Sequence, residues 1–122
     1  MAKILIIDDS VAISSLLKMH LGAHTFRDAR DGQEGLSVAR DFVPDVIFLD
    51  IQMPKLDGWD TCRQLKNSPL TRHIPVIMLT SCKEEIEQLR SFESGADEFL
   101  SKPWNPSEVS LLVDRLTGNK AA

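Results

Sequence analysis

Three stretches of this chain, Ile4-Leu5-Ile6-Ile7, Val46-Ile47-Phe48-Leu49 and Val76-Ile77-Met78-Leu79, are unbroken apolar runs, and each is followed at once by a polar residue. A strand with one wet face alternates apolar and polar residues, whereas a strand covered on both faces reads as a continuous apolar run. Runs of four are also far too short to cross a bilayer or to serve as a signal peptide. The chain must therefore supply covering layers on both sides of a sheet.

It does so by alternation. Strand-like segments at Lys3–Ile7, Thr25–Ala29, Val46–Leu49, Val76–Leu79 and Glu98–Ser101 alternate five times with helix-like segments. The second is the most polar and is expected at an edge. Each helix carries start signals. Ser10 precedes the stripe Ile13, Leu16, Leu17, Leu21, and Asp31 with Glu34 forms a capping-box pattern ahead of Leu36, Ala39 and Phe42. Asp57 caps a helix with Trp59, Cys62 and Leu65 that stops at Asn67-Ser68-Pro69. Ser81 and Glu84 open a helix over 83–94 carrying Ile86, Leu89 and Phe92, with Gly95 as its stop. Asn105, Pro106 and Glu108 open the last one, with Val109, Leu112, Val113 and Leu116. Five strand–helix units predict right-handed crossovers and a parallel sheet between two helical layers, an α/β doubly wound fold.

The 122 residues suit one domain, 1–122, with an ordered core over about 3–117 and a frayed tail at 118–122. A net charge of −4 with no basic run argues against nucleic acid or membrane partners. Two cysteines, Cys62 and Cys82, make no disulfide framework, so a cytoplasmic location is expected. His20, His24 and His73 lack ligand spacing and read as surface residues.

In sheets of this kind ligands bind beyond the carboxyl ends of the strands. There the first strand leads into Asp8-Asp9, the third into Asp50, the fourth into Thr80 and the fifth into Lys102. Each has a plain structural reading when taken alone. Asp8 and Asp9 favour the helix start at Ser10, Thr80 leads into the Ser81 cap, and Lys102 is a solvated lysine. Together they are three carboxylates, a hydroxyl and an ammonium, none of which the sheet requires. Crowded carboxylates repel unless a proton or a cation intervenes, and an all-oxygen set suits Mg²⁺, or Mn²⁺, rather than zinc. Lysine and threonine suit phosphoryl oxygens, and a carboxylate can act as nucleophile toward phosphorus. Asp50, ending the most apolar strand, is the best nucleophile candidate.

Five motifs in order, Ile7-Asp8-Asp9-Ser10, Phe48-Leu49-Asp50-Ile51-Gln52-Met53-Pro54, Leu56-Asp57-Gly58, Leu79-Thr80-Ser81 and Gly95–Pro103, resemble those of the response-regulator receiver family. The resemblance implies a flavodoxin-like (βα)5 three-layer sandwich with strand order 2-1-3-4-5. It implies that Asp50 is the phosphoacceptor, served by a sensor histidine kinase or a phosphotransfer protein. Asp9, Asp50 and the Gln52 backbone carbonyl would bind Mg²⁺ directly, with Asp8 acting through water. Thr80 and Lys102 would contact the phosphoryl group, Phe99 would be the switch aromatic, and the bond before Pro103 would be cis. Phe99 stands where relatives often have tyrosine, so no phenol hydrogen bond can report the switch. Output is expected through a protein target on the face of helix 83–94, the fifth strand and the last helix, in a monomer or a phosphorylation-dependent dimer. Such a protein is a switch, not a turnover enzyme. The rivals are a small aspartyl-phosphate phosphatase, a flavodoxin-like FMN carrier and a pseudo-receiver that binds without phosphorylation. An FMN carrier would need a phosphate cradle where Asp8 and Asp9 stand.

Overall fold

A computed structural model of the chain describes residues 1–53, 56–81 and 95–118. Its elements are β1 (Lys3–Ile7), α1 (Val11–Leu21), β2 (Thr25–Ala29), α2 (Gly32–Phe42), β3 (Val46–Asp50), α3 (Gly58–Asn67), β4 (Val76–Thr80), β5 (Glu98–Ser101) and α4 (Pro106–Leu116). The helix expected over 83–94, with Cys82 and Phe92, lies outside the described residues, as do Pro54 and most of the tail.

All strand pairings are parallel, in the order β2-β1-β3-β4-β5. The apolar runs explain why. Period-two alternation sends Leu5, Ile7, Ile47, Leu49, Val76 and Met78 to one face, against Leu36, Ala39 and Phe42 of α2 and Cys62 and Leu65 of α3. It sends Ile4, Ile6, Val46, Phe48, Ile77 and Leu79 to the other, against Leu17 and Leu21 of α1 and Val109, Leu112 and Val113 of α4. Every residue of β3 and β4 is buried, while the edge strand β2 alternates exposed and half-buried positions before Ala29. The polar strand therefore pairs on one side only.

The helix starts follow the sequence signals. The side chains of Ser10, Asp31, Asp57 and Asn105 accept from the backbone N–H groups of Ile13, Glu34, Asp60 and Ser107. One cap differs from the usual box. The Glu34 carboxylate accepts from the N–H of Arg30, not of the cap residue Asp31.

Two readings are corrected. Leu16 is exposed, and the buried side of α1 runs through Ser14, Leu17 and Leu21, because Ser14 turns inward to donate to Asp28. His20 and His24 are half-buried acceptors rather than surface residues: His20 Nδ1 accepts from Trp104 Nε1 and His24 Nδ1 from Ala2 N. Only His73 is exposed.

Candidate functional site

The parallel sheet ends all its strands at one edge, and that edge is where the polar residues gather. Asp8 follows β1, with its N–H donating to Ala29 O of β2 at 3.0 Å. Asp50 closes β3, and the next N–H, of Ile51, donates to Leu79 O at 3.2 Å. Thr80 closes β4 beside Ser101 of β5, and the Lys102 N–H donates to Thr80 O at 2.7 Å. Each functional side chain is thus held by the last rung of a ladder.

Asp8, Asp50 and Thr80 are buried, Lys102 is half-buried and Asp9 is exposed. One carboxylate oxygen from each of Asp8, Asp9 and Asp50 lies within 4.8 Å of the other two. Opposite them, Lys102 Nζ lies 3.1 Å from Asp8 Oδ2 and 3.4 Å from Asp50 Oδ1. Among the described residues one ammonium is paired with two of the three carboxylates, and the imbalance shows in Asp50. Burial pushes its carboxyl above the usual aspartate range and the Asp8 charge pushes it further, while Lys102 and the Gln52 N–H offset only part. The donors are all oxygens and one is open to water, so the cluster fits a hard divalent cation.

Three details were not read from the sequence. Asp8 is clamped on every side: Oδ1 accepts from Ser10 N at 2.8 Å, Oδ2 from Lys102, and its carbonyl from Arg30 Nη1 at 3.0 Å. The strand-end rule applied to β2 points to Arg30, the residue after Ala29. Gly58 packs against the backbone of Asp50 itself. A Cβ there would lie 2.4 Å from Asp50 O and 2.6 Å from Ile51 Cα, and its N–H donates to Ile51 O at 2.9 Å. The constraint on this glycine is close approach rather than a turn conformation. The third is the Trp104–His20 contact.

Gln52 is exposed, and its N–H lies 3.4 Å from Asp50 Oδ1. Phe99, level with Met78 in the sheet, is half-buried against the core shared with α2 and α3. The Lys102–Pro103 peptide bond is cis.

A parallel sheet of this order, wrapped by helices on both faces and carrying an acidic cluster with an opposed lysine at its carboxyl edge, defines a doubly wound flavodoxin-like class. Within that class the chain belongs to the response regulator receiver domain family, whose model matches residues 4–114. Among its relatives, the response regulator PleD of Caulobacter vibrioides is 42% identical over 118 residues, which are 95% of this chain and 26% of that protein. The DNA-binding dual master transcriptional regulator RpaA of Synechocystis is 40% identical over 118 residues, 95% of this chain and 49% of that protein. The chain thus spans between a quarter and a half of these two relatives. Among solved structures, the receiver domain of a signal transduction histidine kinase from Syntrophus aciditrophicus has a TM-score of 0.88 at 35% identity, covering 98% of this chain and 92% of that one. The chemotaxis protein CheY4 of Vibrio cholerae gives 0.82 at 29%, covering 95% and 98%. The chain is therefore built as a signalling switch of two-component systems. Among the described residues no helix is long and apolar enough to cross a membrane.

Proposed function

We propose that Asp50 is the phosphoacceptor of a Mg²⁺-dependent phosphorelay switch, and that the unbalanced charge of the Asp8–Asp9–Asp50 cluster opposite Lys102 is the observation that carries this reading. Asp9, Asp50 and the Gln52 carbonyl would hold Mg²⁺, or Mn²⁺, directly, with Asp8 acting through water. When bound, the cation neutralises charge on the phosphoryl oxygens and on the crowded carboxylates.

The remaining chemistry belongs to the chain. A carboxylate oxygen of Asp50 bonds to phosphorus as the P–N bond of a phosphohistidine, on a sensor histidine kinase or phosphotransfer protein, breaks. The new group brings about −1.5 to −2 charges and three acceptor oxygens. Lys102, now shared between Asp8 and Asp50, is within reach to contact it, and the Thr80 hydroxyl is a donor from the neighbouring strand. Drawing Thr80 inward opens space for Phe99 to turn in, which alters the surface around β5 and α4 and the protein target it binds. One cytoplasmic receiver domain over 1–122, catalysing only its own phosphorylation and dephosphorylation, is sufficient for this cycle.

Incubation with acetyl phosphate and Mg²⁺ followed by intact-mass measurement tests the proposal. The expected result is a single phosphoryl addition that is lost in Asp50→Asn. Equal labelling of Asp50→Asn would remove Asp50 from the role, and sustained turnover of an aryl phosphate would favour the phosphatase reading.

A further inference from the structure

Lys102 is anchored on its N-terminal side by the sheet, through the 2.7 Å bond from its N–H to Thr80 O. On its C-terminal side the chain runs through Pro103 to Trp104, whose half-buried ring packs on the core beneath α1 and α4. There Trp104 Nε1 donates to His20 Nδ1 of α1 at 2.9 Å, across 84 residues of sequence, with the two rings edge-on at 6.1 Å. Indole nitrogen donates only. The bond therefore requires His20 to be unprotonated at Nδ1, and an imidazolium, which has two N–H donors and no acceptor, must break it.

We propose that His20 is a positioning residue for Lys102: a proton-sensitive tether that holds the Lys102–Trp104 segment through the indole and releases it when the imidazole is protonated. Its effect on phosphorylation rests on the phosphoacceptor reading above; the tether itself does not. The charged neighbours leave His20 to Trp104. On α1, Lys18 is engaged by Asp28 of β2. In the tethered segment, Lys102 is engaged by Asp8 and Asp50. On α4 the ionisable groups are Glu108, Asp114 and Arg115, the last paired with Glu98 of β5. The nearby imidazole of His24 is engaged by the Ala2 N–H. Among the described residues no ion pair involves His20.

A net hydrogen bond of this kind corresponds to a factor of about two to ten in population. Imidazole side chains change charge between about pH 5 and pH 8. The test is NMR of the metal-free, unphosphorylated protein across that range, comparing wild type with His20→Asn, whose side-chain oxygen can accept from the indole at every pH. In the wild type, the Trp104 Nε1–H resonance and the Trp104 and Asn105 backbone amides should move together with one midpoint. In His20→Asn they should stay at their high-pH positions. A wild-type indole resonance that does not titrate, or one that titrates equally in His20→Asn, overturns the tether.

The second arm is the initial rate of acetyl phosphate labelling at saturating Mg²⁺. From pH 7.5 to 5.5 it should fall about two- to tenfold more in wild type than in His20→Asn. Equal falls in two proteins that both label would overturn the positioning of Lys102. Absence of labelling in both would count against the phosphoacceptor reading, and the resonances would still decide the tether.

Discussion

Two aspartates near the carboxyl edge of the same sheet, Asp28 on β2 and Asp50 on β3, are displaced in opposite directions. Burial pushes the Asp28 carboxyl up, but hydrogen bonds from Lys18 and Ser14 and the charges of Lys18 and Arg30 outweigh it and hold it below the usual range. At Asp50 burial and a second carboxylate prevail over one shared ammonium. Asp28 is well supplied by the chain: a hydroxyl and an ammonium donate to its carboxylate and a guanidinium lies 3.9 Å away. Asp50 has fewer such partners. A carboxylate whose partners are all supplied by the chain is a structural element. One that folding leaves short of positive charge is relieved by a proton or by a cation from outside.

The largest expected consequence of this difference is in cation binding. Asp50→Asn should weaken Mg²⁺ binding, followed by the fluorescence of Trp59 and Trp104, by about tenfold or more, while Asp28→Asn should leave it within about twofold. Comparable losses in both variants would mean that the two carboxylates are not different in kind.

Stability should respond the other way. Asp28→Asn strips charge-assisted hydrogen bonds from a partly buried Lys18, and denaturant unfolding should show a loss of about 1–3 kcal/mol. Asp50→Asn should give a smaller gain in the metal-free protein, because it removes a carboxylate repelled by Asp8. Added Mg²⁺ should raise the midpoint of the wild type more than that of Asp50→Asn at the same concentration.

The smallest effect is in pH dependence. With its folded-state pKa lowered, Asp28 contributes stability above its unfolded value, near 3.8, and that contribution is lost as pH falls toward and through the folded value. With its folded-state pKa raised, Asp50 favours the fold only in acid, and this help disappears as pH rises from 3.8 through the folded value. Metal-free unfolding scans should therefore show both mutational differences fully at neutral pH, opposite in sign; as pH falls, the Asp50 difference should shrink first, through the raised folded value down to 3.8, and the Asp28 difference only below 3.8. Differences of the same sign would refute the contrast.

The sequence disclosed whatever local chemistry dictates. Apolar runs that only a doubly covered strand can hold located β1, β3 and β4, and Ser10, Asp31, Asp57 and Asn105 marked helix starts because each cap is built within a few residues. Residues ending strands marked the acidic edge, since a parallel sheet brings all such ends together. What stayed illegible depends on side chains meeting across the chain. Neither the Ser14–Asp28 bond that turns α1 and leaves Leu16 in water nor the Trp104–His20 bond has a spacing that announces it, and the strand-end rule places Arg30 at the edge without showing its contact to Asp8. Gly58 was visible as a residue but not as a contact, because its constraint is the backbone of Asp50 pressed against it.

The bond between Lys102 and Asp8 joins positions 94 residues apart, on strands separated in the sheet by β3 and β4. During synthesis β1, β2, β3 and β4 all leave the ribosome before the lysine does, so the earlier carboxylates must coexist without the ammonium that pairs with Asp8 and Asp50 in the finished fold. If Asp50 accepts a phosphoryl group as proposed, that competence is in this sense a certificate of completion, which a nascent receiver would gain only once its fifth strand has docked.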